Sequence, residues 1–447
     1  MNSTELRAAF SLAFIYVLRM LGLFMIMPVM AVAARDYPDY SVMLVGLAIG
    51  GYGLTQAMLQ IPMGVLSDKI GRKPVIIIGL VFFALGSLLA AFSDSLMWIV
   101  LGRFLQGAGA IAGAIMALAG DLSREKQRPK VMAIIGIAIG FSFYIALLLG
   151  PTIANAYGLK GIFLATGVLA ILCMLLVWLV VPNPYDVAPK GDTLPVIKDI
   201  KRLLAHPQLM RLDLSVLVLH MLITLLFVHI PKFFVALGWP MSQHWQLYLG
   251  ILLVSIAGLA LIMGLGRKIN QVSLMVASVM GLAIVFALLS IEHVSLLWLL
   301  VLVSVFFTCF NYLEANFPAM VSSVAPAGKK GSAMGIYASC QFFGAFLGGM
   351  LSASISQFFG SQWVFGLAAV LCVVWVYLIK GLHSTQRLKR YTLKVNSQTA
   401  EHAMQQIAEL DGVEDLTFMP SEQVIYIKVD GQKFDIQRAR NSLNLEE

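Results

Sequence analysis

Gly64-Val-Leu-Ser-Asp68-Lys-Ile-Gly71-Arg72-Lys73 sits between two long apolar stretches. A glycine, a carboxylate four residues on and then Gly-Arg-Lys combine turn chemistry with charge, so the segment reads as a tight polar loop. The flanks decide what kind of fold the loop serves. Each runs for about 20 residues almost without charge, the length that crosses the hydrocarbon core of a bilayer.

The whole chain follows that pattern. Its 447 residues are 59% hydrophobic and 12% charged, against about 25% charged residues in a soluble domain. Mean hydropathy is +0.86. The length rule predicts twelve spans, over 9–33, 42–64, 75–93, 96–120, 131–155, 161–182, 212–236, 245–265, 272–290, 295–321, 332–356 and 362–381. The first span begins eight residues in and is followed by no small-residue cleavage site, so it reads as a retained helix and not as a signal peptide.

Basic residues orient the spans. With the N-terminus inside, 21 Lys and Arg fall in cytoplasmic segments, from Arg7 to Arg390, against Arg35, Lys160 and Lys232 near the outside. The net charge of +8 reflects this bias, and a nucleic-acid partner has no support. Cys173, Cys309, Cys340 and Cys372 lie in separate spans and read as packing residues. No cofactor or metal site is expected, and no Gly-x-x-x-x-Gly-Lys-Ser/Thr loop is present to support an ATP-driven pump.

Two polar segments interrupt the pattern. Residues 183–211 link a first six-span half (1–182) to a second (212–382), and 194–204 alternates like a surface-lying helix. After a basic linker at 383–390, residues 391–447 carry ten acids against five bases. Strands at 391–395, 413–419 and 424–429, helices at 400–410 and 434–443, and a turn at Pro420-Ser421 predict a small α+β ferredoxin-like domain. A regulatory, docking or folding role suits it, with a cytosolic partner or ligand as an open possibility.

Ionisable residues inside a bilayer are costly and mark function by default. Here they are Arg19 on span 1, Arg103 on span 4, His220 and His229 on span 7, with Lys232 near its outer end, and Glu314 on span 10. Arg103 equally fits a buried hub satisfied by carbonyls, and Arg19 a snorkelling side chain. His220 and His229 are nine residues apart and point to opposite faces, so at most one meets a central cavity. Glu314, with Asn311 one turn before it, is the sole carboxylate read as deep in a span and the candidate proton carrier. A permanent ion pair with a base such as Arg19 is the alternative.

The 64–73 segment resembles the helix 2–3 signature of the major facilitator superfamily of secondary transporters. Gly264-Leu-Gly-Arg267-Lys268 is similar to a worn second copy of it. Leu101-Gly-Arg103-Phe-Leu-Gln106-Gly-Ala-Gly109 resembles the family's span 4 motif. Gly136, Gly140 and Gly150-Pro151 resemble the span 5 motif of its proton-driven drug antiporter branch, although Thr152-Ile-Ala-Asn155 replaces the trailing glycines. The resemblance covers about residues 5–382, and the acidic tail is similar to heavy-metal-associated domains but has no Cys pair at 395–399.

The resemblance implies twelve helices in two pseudo-symmetric halves, spans 1, 4, 7 and 10 lining a cavity, and alternating access. It implies a multi-pass protein of the bacterial inner membrane with both termini cytoplasmic, taking a small amphipathic molecule and protons as partners. It also implies a conformational latch of Gly64, Asp68, Gly71, Arg72, Lys73 and Asp121: Arg72 pairs with Asp121, and Asp68 meets the start of span 11 near Gly331-Ser332. The expected function is proton-coupled efflux. An importer or facilitator of a polar metabolite, or a membrane sensor signalling through its tail, are the alternatives.

Overall fold

The computed structural model describes residues 2–124, 127–183, 197–266, 269–291, 295–326, 329–383, 388–395, 400–419, 423–430, 433–434 and 436. Among the described residues, eleven helices are long and apolar enough to cross a membrane, and one of them, Lys130–Leu179, is 50 residues long. At about 1.5 Å per residue it would run about 75 Å, more than twice the hydrocarbon thickness. It cannot stay straight within a bilayer. Gly158 breaks it with φ 63° and ψ −166°, a conformation that favours glycine, and so makes two spans of one helix.

Twelve spans result. Span 1 is Ser3–Phe24 with a short continuation at Met30–Ala33, span 2 Val42–Ile70 and span 3 Arg72–Ala91. Span 4 is split into Leu96–Ala108 and Ala112–Asp121, and the Arg128–Leu179 helix supplies spans 5 and 6. Spans 7 to 12 are Pro207–Ala236, His244–Leu265, Gln271–Leu289, Leu296–Val324, Lys330–Phe359 and Ser361–Lys380.

Two expectations need correction. The 64–73 segment is not an open loop: span 2 stays helical to Ile70, only Gly71 (φ 97°) turns, and span 3 starts at Arg72. Nothing before Gly71 stops the helix, so Asp68 and Arg72 stand one turn apart. Span 4 is not continuous either, because Gly109 and Gly79 meet backbone to backbone and the helix gives way there.

In the first half, span 1 packs on the span 5–6 helix, and spans 2 and 3 pack on span 4. In the second half, span 7 packs on span 11, span 8 on span 10 and span 9 on span 12. The halves meet through span 2 against span 11, and through span 8 against the span 5–6 helix. The linker helix Ile197–Leu204 lies on spans 7 and 11.

The C-terminal unit is a small α+β sheet. Its strands β1 (Leu388–Lys394), β2 (Val413–Met419) and β3 (Val424–Asp430) form an antiparallel sheet in the order β1-β3-β2. Helix Ala400–Ala408 covers it, with Leu393, Ala403, Ile407, Ile425 and Ile427 in its core. β1 begins inside the stretch read as a basic linker, because Leu388 pairs with Asp430 and Lys389 with Val429. The turn at Pro420-Ser421, the loop 396–399 and most of the helix at 434–443 lie outside the described residues.

Candidate functional site

Charged side chains gather at two depths. The first is the face of the bundle where span 1 begins and span 12 ends, called here the terminal face. Arg72 is 6% exposed and donates from Nε to Asp121, 1% exposed, at 2.9 Å; its Nη1 lies 3.5 Å from Asp68. Lys73 donates to the Val181 carbonyl at the end of span 6 at 2.6 Å. Arg124 grips Glu5 through Nε at 2.8 Å and Nη2 at 3.1 Å, while Glu5 closes a capping box with Asn2. The ends of spans 1, 2, 3, 4 and 6 are thereby bonded into one unit. Gly64 is buried, and its carbonyl accepts from the Ser67 hydroxyl.

The second depth is the middle of the bundle. Glu314 accepts from the Gln341 amide at 3.2 Å and lies 3.8 Å from His220 Nε2, and Gln341 also reaches that nitrogen at 2.7 Å. Spans 7, 10 and 11 thus converge on one carboxylate. Glu314 is 33% exposed although it sits ten residues before the end of its helix at Val324. Its partners are on the two neighbouring spans of its own half, and the rest of the carboxylate is left open. Asn311, one turn away, lies on the side of Glu314 toward Tyr144 of span 5, and its amide nitrogen has no hydrogen-bond partner among the described residues. Phe310 stands edge-on to His220, and Phe143 of span 5 meets Phe227 and Phe307 of the second half.

The two arginines are placed differently. Arg19, 2% exposed, donates to the Tyr52 hydroxyl at 2.8 Å, the Gln56 carbonyl oxygen at 3.0 Å and the Gly109 carbonyl at 2.9 Å. Arg103 is fully buried, donates to the Ala48 carbonyl and Gln106, and packs over the Tyr52 ring. Neither pairs with Glu314; both are knotted into the first half through neutral acceptors. His229 is buried against Ser352 Oγ at 2.8 Å and the Phe365 ring, away from His220. On span 5, a Cβ at Gly150 would meet the Met25 carbonyl at 2.5 Å, so Gly150-Pro151 seats the break in span 1, while Gly140 faces open space.

Sequence reasoning missed Gln341, Tyr144 and Tyr337, because a search for charge passes over neutral polar residues. It also missed Asp213, buried at 5% on span 7, because that span was started at 212 and not at Pro207. The signal was present: Asp213 is seven residues before His220, two turns along the same face.

The Major Facilitator Superfamily model matches residues 12–349, with a second match over 265–408. The chain belongs to the major facilitator superfamily. It is therefore a membrane transporter and not an enzyme. It is 37% identical to the inner membrane transport protein YajR of Escherichia coli, over 98% of each chain. It is 31% identical to the class H tetracycline resistance protein of Pasteurella multocida, over 32% of this chain and 36% of that one. Among solved structures, the human organic anion transporter MFSD10 superposes with a TM-score of 0.64 at 18% identity, covering 85% of this chain and 100% of that one. At that identity the likeness speaks to the fold alone.

Proposed function

We propose that this transporter exports small amphipathic compounds in exchange for protons, by alternating access across the bacterial inner membrane, with the terminal face cytoplasmic. The observation that carries the reading is Glu314, a partly exposed carboxylate in the middle of the bundle, hydrogen-bonded to Gln341 and beside His220; the proposal sets its open side toward the space between the halves. A carboxyl at that depth has to change its protonation whenever a cationic or polar group replaces the proton, which links the two ligands. Phe143 and Tyr144 of span 5 are partly exposed and suit an amphipathic guest, with Phe227, Phe307 and Phe310 buried behind them. Likeness to tetracycline resistance proteins over part of the chain supports the drug antiporter branch.

The latch belongs to the same reading. Asp68 and Arg72 on the tight turn, with Asp121, hold the cytoplasmic ends of the first half as a rigid lever, and Asp68 engages the start of span 11 when the cytoplasmic mouth closes. The β1-β3-β2 order suits a ferredoxin-like cytosolic domain.

Sealed vesicles with an imposed proton gradient test the coupling. One charge moved against 100 mV corresponds to about 2.3 kcal/mol, or nearly two decades of accumulation. Glu314→Gln should remove gradient-driven accumulation of an exported compound from a panel of dyes and drugs, while downhill exchange of that compound persists. Unchanged accumulation in the Gln variant would make Glu314 a structural residue and end the proposal.

A further inference from the structure

A second carboxyl lies behind Glu314. Asp213 sits on span 7, six residues into the helix from Pro207, and is 5% exposed. Its Oδ1 has no hydrogen-bond partner among the described residues. A buried carboxylate left unpaired is costly, and such a group is kept for a purpose or kept neutral.

The neighbours of Asp213 lead toward Glu314, with a Tyr337 side-chain movement needed to bring its hydroxyl into hydrogen-bonding range of the two carboxyls. Tyr337 of span 11 is buried and lies within electrostatic reach of both Asp213 and Glu314, and its hydroxyl likewise has no partner among the described residues. Gln341, one turn beyond Tyr337 on the same span, is the group that donates to Glu314. From the terminal face inward the order is Asp213, Tyr337, Glu314 with Gln341, then His220. The other titratable or charged groups around Asp213 do not neutralise it. Cys340 on span 11 is an uncharged thiol. Arg211 turns its guanidinium onto Gly381, the residue that caps span 12. Lys201 and Arg202 on the linker helix and Lys380 on span 12 are exposed.

We infer that Asp213 holds a second exchangeable proton, coupled to that of Glu314 through the Tyr337 hydroxyl, so that the transporter loads two protons and not one. The inference rests on the proton-coupled reading of Glu314. In the transfer step the protonated Glu314 gives its proton to the Tyr337 oxygen, and the Tyr337 hydroxyl proton passes to the Asp213 carboxylate. Tyr337 ends as it began, Glu314 is left ionised, and Asp213 carries the proton about 9 Å from the start of its helix at the terminal face. Because the two carboxyls interact, they titrate as a pair and not as independent groups.

Infrared titration of the full-length solubilised protein tests this with the proton as the only ligand. Wild type should show two carboxyl C=O bands that disappear as pH rises. Glu314→Gln should remove one and Asp213→Asn the other. Loss of Asp213 should also change the pH range over which the Glu314 band disappears, since the two carboxyls titrate as a pair. Tyr337→Phe should keep both bands but slow proton transfer between them after a pH jump, and Asp213→Glu should restore the pair. If Asp213→Asn removes no titrating band and leaves the Glu314 midpoint in place, Asp213 is a permanently neutral packing group and the inference fails. If instead Glu314→Gln removes no band, the failure belongs to the proposed function.

Discussion

Arg72 and Arg19 are both buried cations in the first half, yet their partners give them different parts. Arg72 faces two carboxylates, so removing it takes a guanidinium from the buried Asp121 charge. Arg72→Ala should cost about 3–5 kcal/mol of stability, read as a clear fall in melting temperature, with Asp121→Asn milder. Asp68 is 27% exposed, so Asp68→Asn should leave melting almost unchanged while turnover falls steeply and substrate affinity survives; transport at the wild-type rate would remove the latch. Asp39, in the connection between spans 1 and 2, shows a third use of charge. Desolvation pushes its carboxyl up, but hydrogen bonds from Leu96 N–H, the Ser95 hydroxyl and Met97 N–H outweigh it and hold the group below the usual carboxylate range. A lowered folded-state pKa adds stability above the unfolded value of about 3.9, which is lost as pH falls through the folded value. Melting of Asp39→Asn should therefore lie below wild type at pH 7 and converge with it under acid conditions.

Helix pairing, at the next scale, depends on glycine where two backbones touch. On span 2, Gly46, Gly50 and Gly53 lie against Gly349, Phe346 and Phe342 of span 11, and a Cβ at Gly50 would sit 2.9 Å from the Phe346 carbonyl. These contacts belong to the end of the bundle away from the terminal face. Gly349→Leu should wedge that end open. Spin labels at Tyr40 and Phe358, both exposed near the far ends of spans 2 and 11, should report a longer distance in the variant than in wild type. An unchanged distance would mean that this pair does not hold the far face closed. Span 7 meets span 11 the same way, with Gly344 and Gly348 against the Leu217 and Met221 carbonyls, which ties the Asp213–His220 face to the Tyr337–Gln341 face.

Across the whole molecule, the C-terminal unit touches the bundle at a helix end. Lys428 on β3 donates to the Val324 carbonyl at 3.3 Å, where the last carbonyls of span 10 lack helical partners, and β1 packs beside span 10. Its charge also bears on His206, the N-cap of span 7: burial, then Lys428, push that imidazole below its usual range. The tail therefore sits on the half that carries Glu314. Deleting residues 388–447 should leave flux within about threefold of wild type and lower the melting temperature modestly, since one surface contact contributes about 1 kcal/mol. Complete loss of transport would favour the sensor reading.

The sequence by itself determined the spans, the halves and the chemistry at the terminal face. Bilayer-length apolar runs and the Gly71-Arg72-Lys73 turn are local signals, and the lipid allows few other folds for them. Arg19, Arg103, His220 and Glu314 were legible as costly intramembrane groups for the same reason. What they face was not legible, because that is set by neighbours far along the chain. Only the tertiary structure joins Arg19 to Gly109, His229 to Ser352, and Glu314 to Gln341 and His220. The break of span 4 at Gly109 and the buried place of Asp213 were decided the same way: a helix end or a carboxylate is fixed by whether packing leaves it room, water or a partner.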